Sequence, residues 1–164
     1  MTLKKVVTLG IFHSMYWFSI QMTISYLFAK LPLTFFEKYG RVFKSLSWEE
    51  NGNLWNTLVQ INRWKKYIPE GNKLIPNIYN KKQLTSFKTS NIYRMILEMR
   101  RAELVHWLSI LPVIVFVKAP RYIKIINFCY ALLANIPIIV AQRYNRPRLE
   151  RYYQLKRKRG EHDV

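Results

Sequence analysis

Apolar positions in this chain are gathered into long blocks rather than spread evenly, and polar, basic stretches separate them. The first block, VVTLGIFHSMYWFSIQMTISYLF, covers 6–28 behind Lys4 and Lys5. Its 23 residues predict a helix of roughly 34 Å, enough for a hydrocarbon core of about 30 Å. It is too long for a signal peptide, and Ala29-Lys30-Leu31 offers no small-x-small cleavage site, so the block is expected to be retained. A second helix is expected over 91–117, capped at Ser90 or Asn91, amphipathic through IYRMILEMRR and wholly apolar after Arg101. KAPR at 118–121 breaks it at Pro120, and YIKIINFCYALLANIPIIVAQ returns as a third helix over 122–142. Asn135 and Pro137 lie inside that third block and can open its backbone ladder locally.

Between the first and second blocks, SLSWEENGNLWNTLVQINRWKKYIPEG carries a different period. Ser47 and Glu50 have the spacing of a capping box, and Leu54, Leu58, Ile61, Trp64 and Ile68 follow at helical intervals. An amphipathic helix over 48–68 is therefore expected, stopped by Pro69 and Gly71. Its basic flank and tryptophans suit the headgroup plane of a bilayer, with Trp55, Trp64 and Lys65 docking there. GNKLIPNIYNKKQ after it reads as turns. The expected fold is one all-α integral membrane domain over 1–164. About three hydrophobic helices and one interfacial helix are joined by a basic region at 30–101 and followed by a basic tail at 143–164.

Charge sharpens this picture. Lys and Arg outnumber Asp and Glu by 27 to 9 in 164 residues. A soluble chain with net charge +18 would suggest nucleic acid, but no RNP-like or zinc-knuckle pattern accompanies the aromatics, and the cations flank apolar blocks. That is the arrangement of spans bordered by anionic lipid headgroups, so lipid and not nucleic acid is the expected partner. Lys and Arg number two before the first block, 14 between the first and second, three around the KAPR turn and eight after Gln142. Positive charge remains cytoplasmic, which puts the central region and tail inside and KAPR outside. Three crossings, or a re-entrant first block, both satisfy that count. The lone Cys129 excludes an intramolecular disulfide and lies in an apolar block, where a thiol behaves as a small hydrophobe.

Candidate chemistry is sparse. Glu103 and His106 are related as i and i+3 and share a helix face. A carboxylate that orients an imidazole is the layout of a general base, with Trp107 beside it a candidate for substrate or donor binding. Alternatively, Glu103 can pair with Arg100 or Arg101 at an interfacial helix start while His106 meets headgroups. No second ExxH supports a di-metal site, so no metal is expected. QRYNRPRLERYYQLKRKRG crowds Arg143, Arg146 and Arg148 around Asn145 and Pro147, which are expected to fix a turn. Guanidinium forks there can grip the phosphates of an acyl donor or those of lipids. Asn135 or Asn145 can donate to a developing oxyanion. No HxxxxD exists, since Leu111 and Phe18 stand five residues after His106 and His13, and neither a G-x-S-x-G elbow nor a P-loop occurs.

RAELVHWLSILPVIVF, KAPRYIKIINFCYALLANIPIIVAQRYNRPRL, WNTLVQINRWKKYIPEG and NIYNKKQL, with the opening SMYWFSIQ and the ending KRKRGEHD, closely resemble the glycosyl-4,4'-diaponeurosporenoate acyltransferase family. The resemblance covers nearly the whole chain. It implies a multi-pass protein of the bacterial cell membrane that esterifies the sugar primary hydroxyl of a glycosyl carotenoid with a fatty acyl group, last in staphyloxanthin synthesis. Acyl-CoA or an acyl carrier protein thioester would be co-substrate, without a bound cofactor, beside other enzymes of the pigment pathway. The resemblance assigns no residue roles, so His106, Glu103, Trp107, Asn135, Arg143, Asn145, Arg146 and Arg148 are inferred from the residues alone. A non-enzymatic membrane scaffold, or acyl transfer to another lipid-linked sugar, also fits the composition.

Overall fold

The computed structural model describes residues 3–68 and 89–159, and these are helical with no strand among them. Helix α1 spans Leu3–Ala29, α2 Leu33–Lys38, α3 Asn53–Val59, α4 Ile61–Trp64, α5 Thr89–Ile110 and α6 Arg121–Lys158. Short 3-10 turns at Gly40–Phe43, Ser47–Gly52, Lys65–Tyr67 and Leu111–Phe116 connect or extend them.

Helices α5 and α6 run antiparallel from the turn at 117–120, where extended Pro120 caps α6. The pairing extends to the far end, where Arg100 reaches Glu150 and Tyr93 stacks on Tyr153. Helix α1 lies along this pair. Its Trp17 packs with Phe116 and Ala131 near the turn, and Phe28, 11 residues further along α1, packs with Phe36, Phe43 and Leu97. The buried stripe of α1, Tyr16, Trp17 and Ile20, follows the 3.6-residue period, while Ile11, Met15 and Phe18 face outward. Trp17 Nε1 donates to Asn127 Oδ1 at 2.8 Å, and the Tyr16 hydroxyl to the Pro112 carbonyl at 2.9 Å, so buried polar groups fix where α1 sits.

Several expectations change. The helix expected over 91–117 leaves α geometry after Ile110, because Pro112 cannot donate into the ladder and the chain tightens to 3-10. Ser90 and Asn91 lie inside α5 rather than capping it. The turn expected at Asn145 and Pro147 does not form: α6 continues through both Pro137 and Pro147 to Lys158, 38 residues in all, so the tail is helical. The helix expected over 48–68 is broken. Glu50, Asn51 and Gly52 have φ of 50°, 56° and 90°, and Gln60 has φ 49° between α3 and α4. That second break rotates Leu58 out to solvent while Ile61 is fully buried against Val140, Ala141 and Tyr144. Trp55 and Trp64 pack on this same cluster, beside Val140 and Tyr144 of α6. The helix stop at Pro69 and Gly71 and the turns of GNKLIPNIYNKKQ fall outside the described residues.

Among the described residues one helix, α6, is both long and apolar enough to cross a membrane by length and composition. Three such helices were expected. α1 has the length, 27 residues, but His13, Gln21 and its serines and threonines dilute its apolar character. α5 carries its charges through Glu103 and gives way to 3-10 geometry at Leu111, eight residues later.

Candidate active site

Five carboxylate–guanidinium contacts form a chain where the apolar half of α6 gives way to its basic half. Glu49 is fully buried at the start of the left-handed turn. Its oxygens accept from Arg143 Nε and Nη2, both at 2.6 Å, from the Leu46 N–H at 2.8 Å and from Trp55 Nε1 at 3.0 Å. The remaining Arg143 nitrogen, Nη1, donates to Glu103 Oε1 at 2.7 Å. The other Glu103 oxygen accepts from Arg146 Nη1, and Arg146 Nη2 donates to the Phe43 carbonyl. Arg146 Nε lies 3.8 Å from Glu150, which Arg100 also holds at 3.0 Å. Three carboxylates and three guanidiniums thus form a neutral chain linking the 3-10 turns, α5 and α6.

Burial of these charges is costly unless each is paired and hydrogen-bonded. Here each has a charged partner and at least one hydrogen bond, while the buried Nε atoms of Arg146 and Arg100 make none. Burial pushes the Glu49 carboxyl up, but hydrogen bonds from Arg143, the Leu46 N–H and Trp55 outweigh it and hold the group below the usual carboxylate value. Arg143 is held above the ordinary guanidinium value, first by its bond to Glu49 and then by Glu103. Burial draws Arg146 the other way, against the pull of Glu103.

His106 sits one turn along α5 from Glu103, half-buried, and its Nδ1 lies 2.8 Å from Asn135 Oδ1. Asn135 is buried and donates from Nδ2 to the Ala131 carbonyl at 2.8 Å, which turns its oxygen towards the ring. Facing an acceptor, Nδ1 carries the proton, and the basic lone pair belongs to Nε2. The residue that orients His106 is therefore Asn135 on the neighbouring helix; the oxygens of Glu103 take up Arg143 and Arg146. Arg100 and Arg101, the other candidates for Glu103, pair with Glu150 and Glu98. Trp107 is about half exposed beside His106.

The remaining predicted residues lie one to four turns further along α6. Asn145 accepts from Lys65 Nζ at 3.5 Å. Arg148 lies over the Tyr144 ring at 3.6 Å and donates to the Tyr144 carbonyl and, at 2.6 Å, to Asn53 Oδ1. Glu49 was missed in the sequence because Ser47 and Glu50 gave the better capping pattern. The signal that could have raised it is the scarcity of acids, nine against 27 bases, which makes each acid a candidate partner for a buried guanidinium. Among the described residues no group of three His, Cys, Asp or Glu is placed to hold a metal.

A family model described as glycosyl-4,4'-diaponeurosporenoate acyltransferase matches residues 39–155, which contain every residue of this cluster. The protein of that name from Staphylococcus haemolyticus (strain JCSC1435) is 55% identical over 161 residues, covering 98% of this chain and 94% of its own. The one from Staphylococcus aureus (strain USA300) is 45% identical over 163 residues, covering 99% of each. No solved structure matches. Matched across nearly its whole length, the chain belongs to the glycosyl-4,4'-diaponeurosporenoate acyltransferase family.

Proposed function

We propose that this protein transfers a fatty acyl group from a thioester to the primary sugar hydroxyl of a membrane-held glycosyl carotenoid, with His106 as the general base. The observation that carries this reading is the bond between His106 Nδ1 and Asn135 Oδ1, which commits the basic lone pair to Nε2. In the step itself, Nε2 takes the hydroxyl proton as the sugar oxygen attacks the acyl carbonyl. The tetrahedral adduct collapses, the carbon–sulfur bond breaks, and the imidazolium returns the proton to the departing thiolate. Asn135 is a positioning residue. Glu103, held by Arg143 and Arg146, fixes the α5 turn below His106 against α6. Trp107 offers the sugar or polyene a half-exposed ring, and Asn145 and Arg148 lie on the side from which the donor's phosphate-bearing arm approaches.

Depth supports this assignment. Large apolar side chains stay exposed on α1 (Ile11, Phe18), on the 3-10 turn (Leu111, Ile114) and on the first half of α6 (Ile126, Leu133). We read these faces as hydrocarbon-facing, with all three segments embedded in the bacterial cell membrane. Asn135 then stands seven residues, about 10 Å, on the hydrocarbon side of Gln142, where the apolar stretch ends and the ion pairs of Arg143 and Arg146 begin, so a polyene held in lipid would bring its sugar to His106 just below that boundary.

The test is turnover of purified protein in lipid nanodiscs, with glycosyl-4,4'-diaponeurosporenoate and a long-chain acyl thioester, followed by mass spectrometry of the pigment. His106→Ala is expected to lose roughly 10²- to 10⁴-fold in rate. Asn135→Asp, which still accepts from Nδ1, retains activity with the acid limb of its pH profile moved up, because a carboxylate stabilises the imidazolium and neutral His106 then forms only at higher pH. Full turnover by folded His106→Ala protein would remove the base from the mechanism.

A further inference from the structure

The C-terminal part of α6 does more than end a span. Arg151, Arg157, Lys158 and Arg159 are all exposed there, and Glu150, the nearby acid, already faces Arg100 and Arg146. Their distance from the bilayer decides what they can bind. Arg157 stands 15 residues beyond Gln142, the end of the apolar stretch, about 22 Å by helical rise. Headgroups add only roughly 5–8 Å beyond each face of the hydrocarbon core, and charges are screened within about 8 Å at physiological salt. Lipid phosphates therefore fall short of Arg157, Lys158 and Arg159. Over this interval α6 stays packed on α5, where Arg100 meets Glu150 and Tyr93 stacks on Tyr153 at 5.1 Å.

We propose that this basic end of α6 docks an acidic carrier protein that presents the acyl group as a thioester on a phosphopantetheine arm. Two observations favour a protein over a free nucleotide thioester. Arg157, Lys158 and Arg159 are consecutive and fan out around the helix axis, with Arg151 nearly two turns before them, so they do not converge on one compact cluster of phosphates and suit a broader acidic surface. The near end of the patch, Arg151, is 16 residues along α6 from Asn135, about 24 Å. A carrier protein docked across this end would extend its phosphopantetheine arm along α6 towards His106 while the protein itself stays in water. This inference rests on the acyl-transfer reading above and names its donor.

The experiment uses the full chain in nanodiscs with three donors of one acyl chain: the acyl carrier protein thioester, the CoA thioester and the N-acetylcysteamine thioester, which has neither protein nor phosphate. In the variant, Arg157→Glu, Lys158→Glu and Arg159→Glu are combined. KM for the carrier-protein donor is expected to rise roughly tenfold or more, with loss of its salt dependence, while turnover of the N-acetylcysteamine thioester is unchanged. Binding of the holo carrier protein to immobilised nanodiscs should weaken in parallel. An unchanged KM for the carrier-protein donor, or an equal rise for the CoA donor, overturns the proposal. So does a wild-type protein that uses the CoA thioester but not the carrier-protein one, which leaves acyl transfer itself standing. A variant altered only in its preference for anionic over zwitterionic nanodiscs would assign the patch to lipid. Failure of all three donors removes the acyl-transfer reading and the docking proposal together.

Discussion

At the scale of single residues, Glu49 and Glu103 divide one task. Each neutralises a guanidinium that would otherwise be buried alone, and Arg143 between them ties both to α6. Removing one partner leaves the other charged and dry, which costs about 3–5 kcal/mol in buried pairs. Glu49→Ala should therefore lower the thermal unfolding midpoint in detergent by several degrees and cut activity only through loss of fold. The pH dependence follows from the depressed carboxyl of Glu49. A group whose folded value lies below its unfolded one, about 4.3, contributes fully above that pH and loses its contribution as pH falls through the folded value. Unfolding midpoints measured from pH 7 to 3 should fall off below about 4.5, and Glu49→Gln should flatten that acid limb from a lower plateau. An unchanged acid limb in Glu49→Gln would mean another carboxylate controls it. Glu103 and His106 were visible in the sequence as a pair, but their partners were not. The i, i+3 rule describes neighbours on one helix, whereas the oxygens of Glu103 and Nδ1 of His106 each find α6, and interhelical register is not written in spacing along a strand of sequence.

Among elements, the clearest case is the break that sequence reading assigned to the wrong helix. Pro147 has no N–H to give the Arg143 carbonyl four residues back, yet α6 does not stop there. Gly52 packs against that spot: a Cβ on it would stand 2.9 Å from both the Arg143 and Tyr144 carbonyl oxygens, with φ already at +90°. The left-handed run at Glu50, Asn51 and Gly52 thus lets the chain approach α6 closely while Glu49 points in at Arg143. Proline reads locally as a helix end, and only the partner that packs on its freed carbonyl reveals otherwise. Ser47 and Glu50 misled for the same reason, since capping spacing is local and the positive φ values answer to α6. Gly52→Ala should cost about 2 kcal/mol, since overpacking against backbone has no soft side chain to yield. Gly10→Ala, with nothing within 4 Å, should leave the unfolding midpoint unchanged or slightly raised. Equal midpoints for the two variants would show that Gly52 is not closely packed.

On the scale of the whole molecule, hydrophobic periodicity made the apolar blocks legible, and with them the all-helical class, but not how much of each helix meets lipid. That depends on exposure after packing, and Cys129 tests it directly. It is exposed on the apolar half of α6, beside Phe128 and one turn from Leu133, and it is the chain's single cysteine. A thiol reacts with maleimide as thiolate, which requires water. If the face carrying Cys129 looks into hydrocarbon, a water-soluble, membrane-impermeant maleimide should leave it unmodified in intact membrane vesicles and modify it fully once SDS unfolds the protein. Two controls on a Cys129→Ser background fix the geometry. Arg157→Cys, beyond the headgroups on the far end of α6, should label in inside-out vesicles. Lys118→Cys, in the turn before α6, should label from the opposite side. Trp17 packs with Phe116 just before that turn, so Lys4→Cys on the first turns of α1 should share the sidedness of Lys118→Cys. Rapid modification of Cys129 in intact vesicles would mean the apolar face of α6 is wetted, and the carotenoid would then have no lipid-held approach to His106.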